Sequence, residues 1–400
     1  MATIDAGRML KDLYEAREIG KYKTGVHRPT YSADDVKARH WLVRRLTEAG
    51  LDASIDGIGN VYGRDPRPGR KLLTGSHIET QNHAGWLDGI LGVVYGLETA
   101  RALGGGVDVV AFADEEGHFA SFVGSRSFCG KFSEQDIDAC ANRETGQSLR
   151  DALRQAGFAD RPRQTVDTAR YRGYLEAHIE QGSDLEDQHL RLGVVTGIVG
   201  SKRYRIVFDG QQNHAGTTRM SARKDAGVAL VKFLASVEET FPRIAGPRTV
   251  WTTGDIKLDP GAPSIVPGRA ELIFQWRDTD QTVLERLDEA FHALLAESNK
   301  GPCTATVDYH SVTMPAIMDP ALQSALTASA QKHAPGLHQA MPSGAGHDAQ
   351  IVSQVMPSAM LFIPSIGGIS HHWSENTSDE DIVLGCRVFA DAAASVLAAA

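Results

Sequence analysis

Residues 72–117 read LLTGSHIETQNHAGWLDGILGVVYGLETARALGGGVDVVAFADEEG. Two apolar runs bracket this stretch: LLTGS, stopping at Gly75, and VDVVAFA, stopping before Asp114. Between them the spacing predicts a helix over about 89–103. Apolar strands separated by a helix predict a sheet covered on both faces. In such sheets ligands gather beyond the carboxyl ends of the strands. His77 and the pair Glu115/Glu116 fall just past the two predicted strand ends, which is a geometric reason to place them together.

Upstream, residues 33–49 have a helical period with Ser32 as the expected N-cap and Gly50 as the stop. Two short strands are expected near 51–56 and 60–64. From about residue 200 the pattern changes. KRYRIVFDG, RTVWTTGDIKL, RAELIFQWRD and CTATVDYHSVTM read as strands, and 221–241 and 281–298 as helices. The order βαββαβ is that of a ferredoxin-like α+β unit, self-sufficient at ~100 residues. From 317 a helical pattern resumes, and SAMLFIPS is a strand ending near His371. The expected organisation is an α/β domain of residues 1–199 and 317–400 with a smaller domain, 200–316, inserted into it.

A chain of 400 residues is too long for one ordinary core. Its 42% apolar and 23% charged residues are ordinary for a globular protein. A net charge of −9 without a basic run argues against nucleic acid and anionic membranes as partners. Cys129, Cys140, Cys303 and Cys386 form no CxxC pair, so reduced thiols are expected. MATIDAGRMLKDLYEAREIG is charged and amphipathic rather than signal-like, and no run reaches the ~20 apolar residues of a membrane span. A cytoplasmic protein is the expectation.

Chemistry-bearing residues sit in short Gly-flanked motifs. His77 lies in GSHIET, Asp88 in WLDGILG, Glu115 and Glu116 in ADEEG, His178 in LEAHIEQG and His371 in GGISHHWSE. Of these, His77, Asp88, Glu116, His178 and His371, three imidazoles and two carboxylates, suit a pair of borderline divalent ions such as Zn²⁺ or Mn²⁺, with Co²⁺ or Ni²⁺ also accepted, and Glu115 sits where a general base is needed. Two ions about 3.5–4 Å apart activate a water between them. Each residue has a plainer reading. Asp88 could be a helix N-cap, worth ~1 kcal/mol. Flanked by Glu176 and Glu180, His178 could belong to a solvated charge cluster. Either His371 or His372 could bind metal, and spacing does not choose. Arg277, closing an apolar strand beside Asp278, reads as a surface ion pair or as a bidentate clamp for a substrate carboxylate. SGAGHDA (343–349), which holds His347, lacks the pattern of a phosphate loop.

The set GSHIET, WLDGILG, DEEG, GSR, HIEQG, NHAGTTRM, SGAGHDA and GGISH resembles the binuclear-metal amidohydrolases that include N-carbamoyl-L-amino-acid hydrolases, allantoate amidohydrolases and β-ureidopropionases. These are relatives of the co-catalytic zinc aminopeptidases. The resemblance implies an aminopeptidase-like catalytic domain with a mixed sheet between helices, and an inserted ferredoxin-like lid that pairs two subunits into a homodimer. It implies that Asp88 bridges two metal ions, with Glu116 and His371 on one and His77 and His178 on the other. Glu115 would be the general base, deprotonating the bridging water to a metal-bridging hydroxide and later protonating the leaving nitrogen. His214 would polarise the scissile carbonyl in the partner's site. Gln181 and Arg277 would contact a small carboxylate-bearing substrate, with Ser264 and His347 in the same substrate-contacting set. The implied reaction is hydrolysis of the linear C–N bond of an N-carbamoyl amino acid, with an N-acyl amino acid or allantoate as the alternative substrate.

Three positions depart from the family pattern. Glu79 stands where an aspartate usually braces the first imidazole, so its reach is one methylene longer. Ser264, in PSIVPG, stands where an asparagine is usual, and Arg219 follows the two threonines where proline is usual. The last two fall on the substrate side.

Overall fold

The computed structural model describes residues 3–399. They form two compact units: one runs to Thr196 and resumes at Ile317, and the other is Gly197–Ala316. No helix among the described residues is long and apolar enough to cross a membrane.

The first unit is built on a nine-stranded mixed sheet. At its centre four strands lie side by side in the order Ser358–Ile363, Tyr171–Ile179, Lys71–His77 and Val107–Phe112, all parallel. Every residue of Lys71–His77 and of Val107–Phe112 is buried, as a strand covered on both faces requires. Helix Ile90–Leu103 packs on the three strands that begin at Tyr171, Lys71 and Val107, and Asp379–Ala398 packs on the helix and on Ser358–Ile363. Because the four strands are parallel, their carboxyl ends share one edge of the sheet, and that edge carries the candidate site.

Local starts and stops follow side-chain chemistry. Helix Ala33–Glu48 begins where Ser32 accepts the Asp35 N–H. The expected helix over 221–241 is shorter: a 3₁₀ turn, Met220–Ala222, precedes Ala226–Thr240. Asp225 takes the Val228 N–H at 3.0 Å and so fixes the helix start. The strand expected to stop at Gly75 continues to His77, held by the ladder pairs Ser76–Ala111 and His77–Phe112. The strand over SAMLFIPS ends at Ile363, and a 3₁₀ turn, Ile366–Gly368, carries the chain on toward His371.

The second unit has a four-stranded antiparallel sheet and two helices in the order βαββαβ. Strand Arg269–Asp278 alternates, with Ala270, Leu272, Phe274 and Trp276 buried. Helix Ala226–Thr240 meets them through Leu230, Phe233 and Val237, and helix Gln281–Ser298 through Leu284, Leu287 and Phe291. Each of these large side chains contributes about 1.5–3 kcal/mol by leaving water.

Candidate metal centre

The chain-distant histidines and acids converge at the shared sheet edge. His77 is the last residue of its strand and His178 the last but one of the neighbouring strand. Glu115 and Glu116 follow the end of Val107–Phe112. Asp114 turns that loop at φ 55°, and its carboxylate accepts the N–H groups of His118, Phe119 and Ala120. Asp88 arrives just before helix Ile90–Leu103. Gly89 makes this turn at φ 70°, and a Cβ there would lie 2.4 Å from the His77 ring.

Asp88 is the hub. Its Oδ1 lies 3.0 Å from His178 Nε2 and 3.5 Å from His77 Nε2. Its Oδ2 lies 3.2 Å from His371 Nε2, which is also 3.6 Å from Glu116 Oε2. Two groups able to hold a metal ion result, His77/Asp88/His178 and Asp88/Glu116/His371, and they share Asp88. The N-cap alternative for Asp88 fails, because Gly89 occupies the cap position and no side chain caps that helix. His371, rather than His372, faces Asp88; His372 Nδ1 is engaged 2.7 Å from Ser374 Oγ. The solvated-cluster alternative for His178 also fails, since Glu176 and His178 are both buried.

The donor chemistry fits divalent ions. His77 Nδ1 lies 3.1 Å from the Glu79 carbonyl and His178 Nδ1 2.9 Å from the Ile179 carbonyl. Donation from Nδ1 to a carbonyl leaves Nε2, which faces Asp88, as the candidate ligand nitrogen. Burial alone would raise the Asp88 carboxyl, but the imidazoles of His178, His371 and His77 outweigh it and hold the group well below the ordinary carboxylate range. Hydrogen bonding to Asp88 pushes His371 up to about 9 against its partial burial. Glu115 is pushed well up by burial, with His77 opposing and Glu116 adding to the shift.

Glu115 Oε2 lies 3.8 Å from His77 Nε2. Gln181, at φ 60°, donates through Nε2 to Asp88 Oδ2 at 3.2 Å and to Ser370 Oγ at 3.0 Å. His347 is buried, with Nε2 2.9 Å from Ser343 Oγ and its ring edge-on to His178 at 4.6 Å between centroids. Burial first, and the neighbouring His178 next, push it well below the ordinary imidazole range.

In the second unit, His214 and Ser264 are brought side by side. Asn213–His214 pairs with Ile265–Val266, and Ala215 N–H donates to the Ser264 carbonyl at 2.9 Å. His214 Nδ1 accepts the N–H groups of Gly216 and Thr217, which fixes the ring beside an exposed turn. Arg277 pairs in register with Val250 and Ser201. Its neighbour Asp278 accepts the Asp280 N–H and the Thr249 hydroxyl.

Sequence reasoning missed several supporting groups. Gln81 donates its N–H to Glu116 Oε1 at 3.1 Å and its amide nitrogen to Oε2 at 3.0 Å. Glu375 is buried and receives the N–H groups of Leu87 and Asp88 on Oε1 and the Ser370 hydroxyl on Oε2. Burial and the nearby Asp88 push its carboxyl up to about 7. Both residues lie within the quoted stretches, Gln81 four residues after His77 and Glu375 four residues after His371.

The profile of peptidase family M20/M25/M40 matches residues 80–395. The chain belongs to this family. Enzymes of family M20 use divalent metal ions, in keeping with the two side-chain groups around Asp88. This M20 chain is a hydrolase and is similar to proteins named for work on non-peptide C–N bonds. An allantoate amidohydrolase of Bacillus subtilis (strain 168) is 33% identical over 384 residues, 92% of either chain. An N-carbamoyl-L-amino-acid amidohydrolase of Paenarthrobacter aurescens is 32% identical over 401 residues, 96% of either chain. Among solved structures, an amidase of the hydantoinase/carbamoylase family from Burkholderia phymatum is 48% identical, with a TM-score of 0.91, and the match covers 100% of this chain and 99% of that one.

Proposed function

We propose that this M20 enzyme hydrolyses the linear C–N bond of an N-carbamoyl amino acid, with two divalent ions per chain. The carrying observation is the division of Asp88, one oxygen toward His77 and His178 and the other toward His371. His77 and His178 would hold one ion, Glu116 and His371 the other, and Asp88 both. Bound there, a pair of ions supplies carbonyl polarisation and a water activated at neutral pH.

The chain's own groups do the rest. Glu115 takes the proton from the attacking water and returns it to the leaving nitrogen, a role suited to a carboxylate whose proton affinity is raised by burial. Water adds to the ureido carbon, the bond to the amino-acid nitrogen breaks, and the carbamate released decomposes to CO₂ and ammonia. We assign Arg277 to the substrate carboxylate and His214 to the scissile carbonyl oxygen in the partner subunit's site. Gln181, on Asp88, orients the bridging carboxylate and contacts substrate; Ser264, beside His214, is a substrate contact. His347, whose ring stands edge-on to His178, is proposed as a further substrate contact.

The second unit, with its ferredoxin-like element order, is proposed as a lid and as the dimerisation surface. Its edge strand Val250–Asp259 exposes Val250, Ile256 and Leu258, and helix Ala226–Thr240 exposes Val228 and Val231. An apolar, unpaired strand edge calls for a cover. The four free cysteines suit a reducing compartment, for which we propose the cytoplasm.

The test is ammonia release by Mn²⁺- or Zn²⁺-loaded protein from N-carbamoyl amino acids, β-ureidopropionate and allantoate, with N-acyl amino acids scored for free amine. Ammonia from a carbamoyl amino acid supports the reading. Ammonia from allantoate alone moves the substrate to the second reading, which the Bacillus relative favours. Free amine without ammonia rejects the ureido chemistry.

A further inference from the structure

Glu79 does something other than brace His77. Its Oε1 is 3.9 Å from His77 Nδ1, outside hydrogen-bond range, while that nitrogen is served by Glu79's own carbonyl oxygen. The carboxylate reaches past the ring. Its Oε1 accepts the backbone N–H of Glu115 at 2.8 Å, and its Oε2 accepts from Arg39 Nη2 at 2.8 Å.

Arg39 is itself fully anchored. Its Nε donates to Asp35 at 2.9 Å and its Nη1 to the Gly59 carbonyl at 2.7 Å, and Asp35, Arg39 and Glu79 are all without solvent exposure. Asp35 also receives the Tyr31 N–H. A rigid line of charge-assisted bonds therefore runs from helix Ala33–Glu48 to the peptide nitrogen of Glu115.

We infer that Glu79 is a positioning residue for Glu115, gripping it through its peptide, with Arg39 as the anchor. This rests on the proposed role of Glu115 as the base. The extra methylene of glutamate is what allows both bonds at once. A shorter acid would have to release Arg39 or the Glu115 N–H, and a glutamine offers one acceptor oxygen where two are used.

The test compares Glu79→Asp, Glu79→Gln and Glu115→Gln with the unaltered metal-loaded enzyme, reading kcat, KM, bound metal and melting temperature. Glu79→Asp keeps the charge opposite Arg39 and guards against simple misfolding in Glu79→Gln. Expected for Glu79→Asp is a kcat lower by about 10–100-fold at unchanged KM and metal content. An unchanged kcat overturns the inference. So does loss of metal with kcat per metal-loaded enzyme unchanged, which would make Glu79 a brace for His77. If Glu115→Gln turns over normally, the base assignment itself fails; if Glu115→Gln is inactive while Glu79→Asp is unimpaired, only the positioning role fails.

Discussion

The carboxylate of Glu375 holds Asp88 by its backbone, with Oε1 3.2 Å from the Asp88 nitrogen. The same oxygen accepts from Leu87, and the other binds the hydroxyl of Ser370, next to His371. One buried acid thus ties together the two loops that bring Asp88 and His371 to each other.

Gly85 has to be a glycine for that tie to form. A Cβ at this position would lie 1.8 Å from Glu375 Oε1 and 2.0 Å from Cδ. Gly85→Ala is expected to expel the Glu375 side chain and lower metal affinity or activity by about 10–100-fold. Metal titration of the apo-protein checks this; affinity and activity at the unaltered level would contradict it.

Asp88→Asn replaces one carboxylate oxygen with a nitrogen that carries no available lone pair. Two side-chain groups share Asp88, so the substitution is expected to cut bound metal to one ion or none per chain and to abolish turnover. Elemental analysis after dialysis reads the outcome directly, and full occupancy would argue against a bridging role.

Glu115→Gln should retain metal and lose about 10²–10⁴-fold in kcat, the usual contribution of a general acid–base group. Equilibrium binding of substrate to the variant should persist. Retained turnover would remove Glu115 from the base position.

Away from the site, Asp65 and Lys71 form a buried ion pair at 2.7 Å. Burial of Asp65 would raise its carboxyl, but Lys71, the Gly106 N–H and Arg67 outweigh that and lower it. A carboxyl lowered in the folded state contributes stability that is present above the ordinary aspartate pKa of about 4 and is lost as pH falls below it. Asp65→Asn leaves Lys71 charged and unpaired, at an expected cost of about 3–5 kcal/mol near neutral pH. Denaturant melts at pH 7 and pH 3 check the sign, because the gap between variant and parent should narrow in acid.

Much of the centre was legible because its residues sit in short Gly-flanked motifs at the ends of apolar runs, as with His77 and Glu115/Glu116. The strand that carries His178 was hidden, since the alternation Glu176–His178–Glu180 looks like a wet surface when the neighbours that bury it are unknown. Glu176 is in fact buried, bonded to Ser76 Oγ and the Ala349 N–H. Arg39 carries no signal of its role in the sequence: an arginine four residues after Asp35 on a helix has the pattern of an ordinary exposed pair, and only the fold brings Glu79 to it. Spacing did not choose between His371 and His372; the family resemblance implied His371, and the fold turns that residue toward Asp88 at φ 54°.

The strand Ser358–Ile363 lies between Tyr171–Ile179 and Leu192–Ile198, although the chain traverses Gly197–Ala316 before making it. On the ribosome, then, the contiguous second unit can close its own sheet while the first still has a gap at its centre. His77, Asp88 and His178 are synthesised long before His371, so the nascent chain carries the whole of one candidate trio and two of the three residues of the other, Asp88 and Glu116. On the proposed function, the second trio is completed only when the last tenth of the protein, which carries His371, has been made.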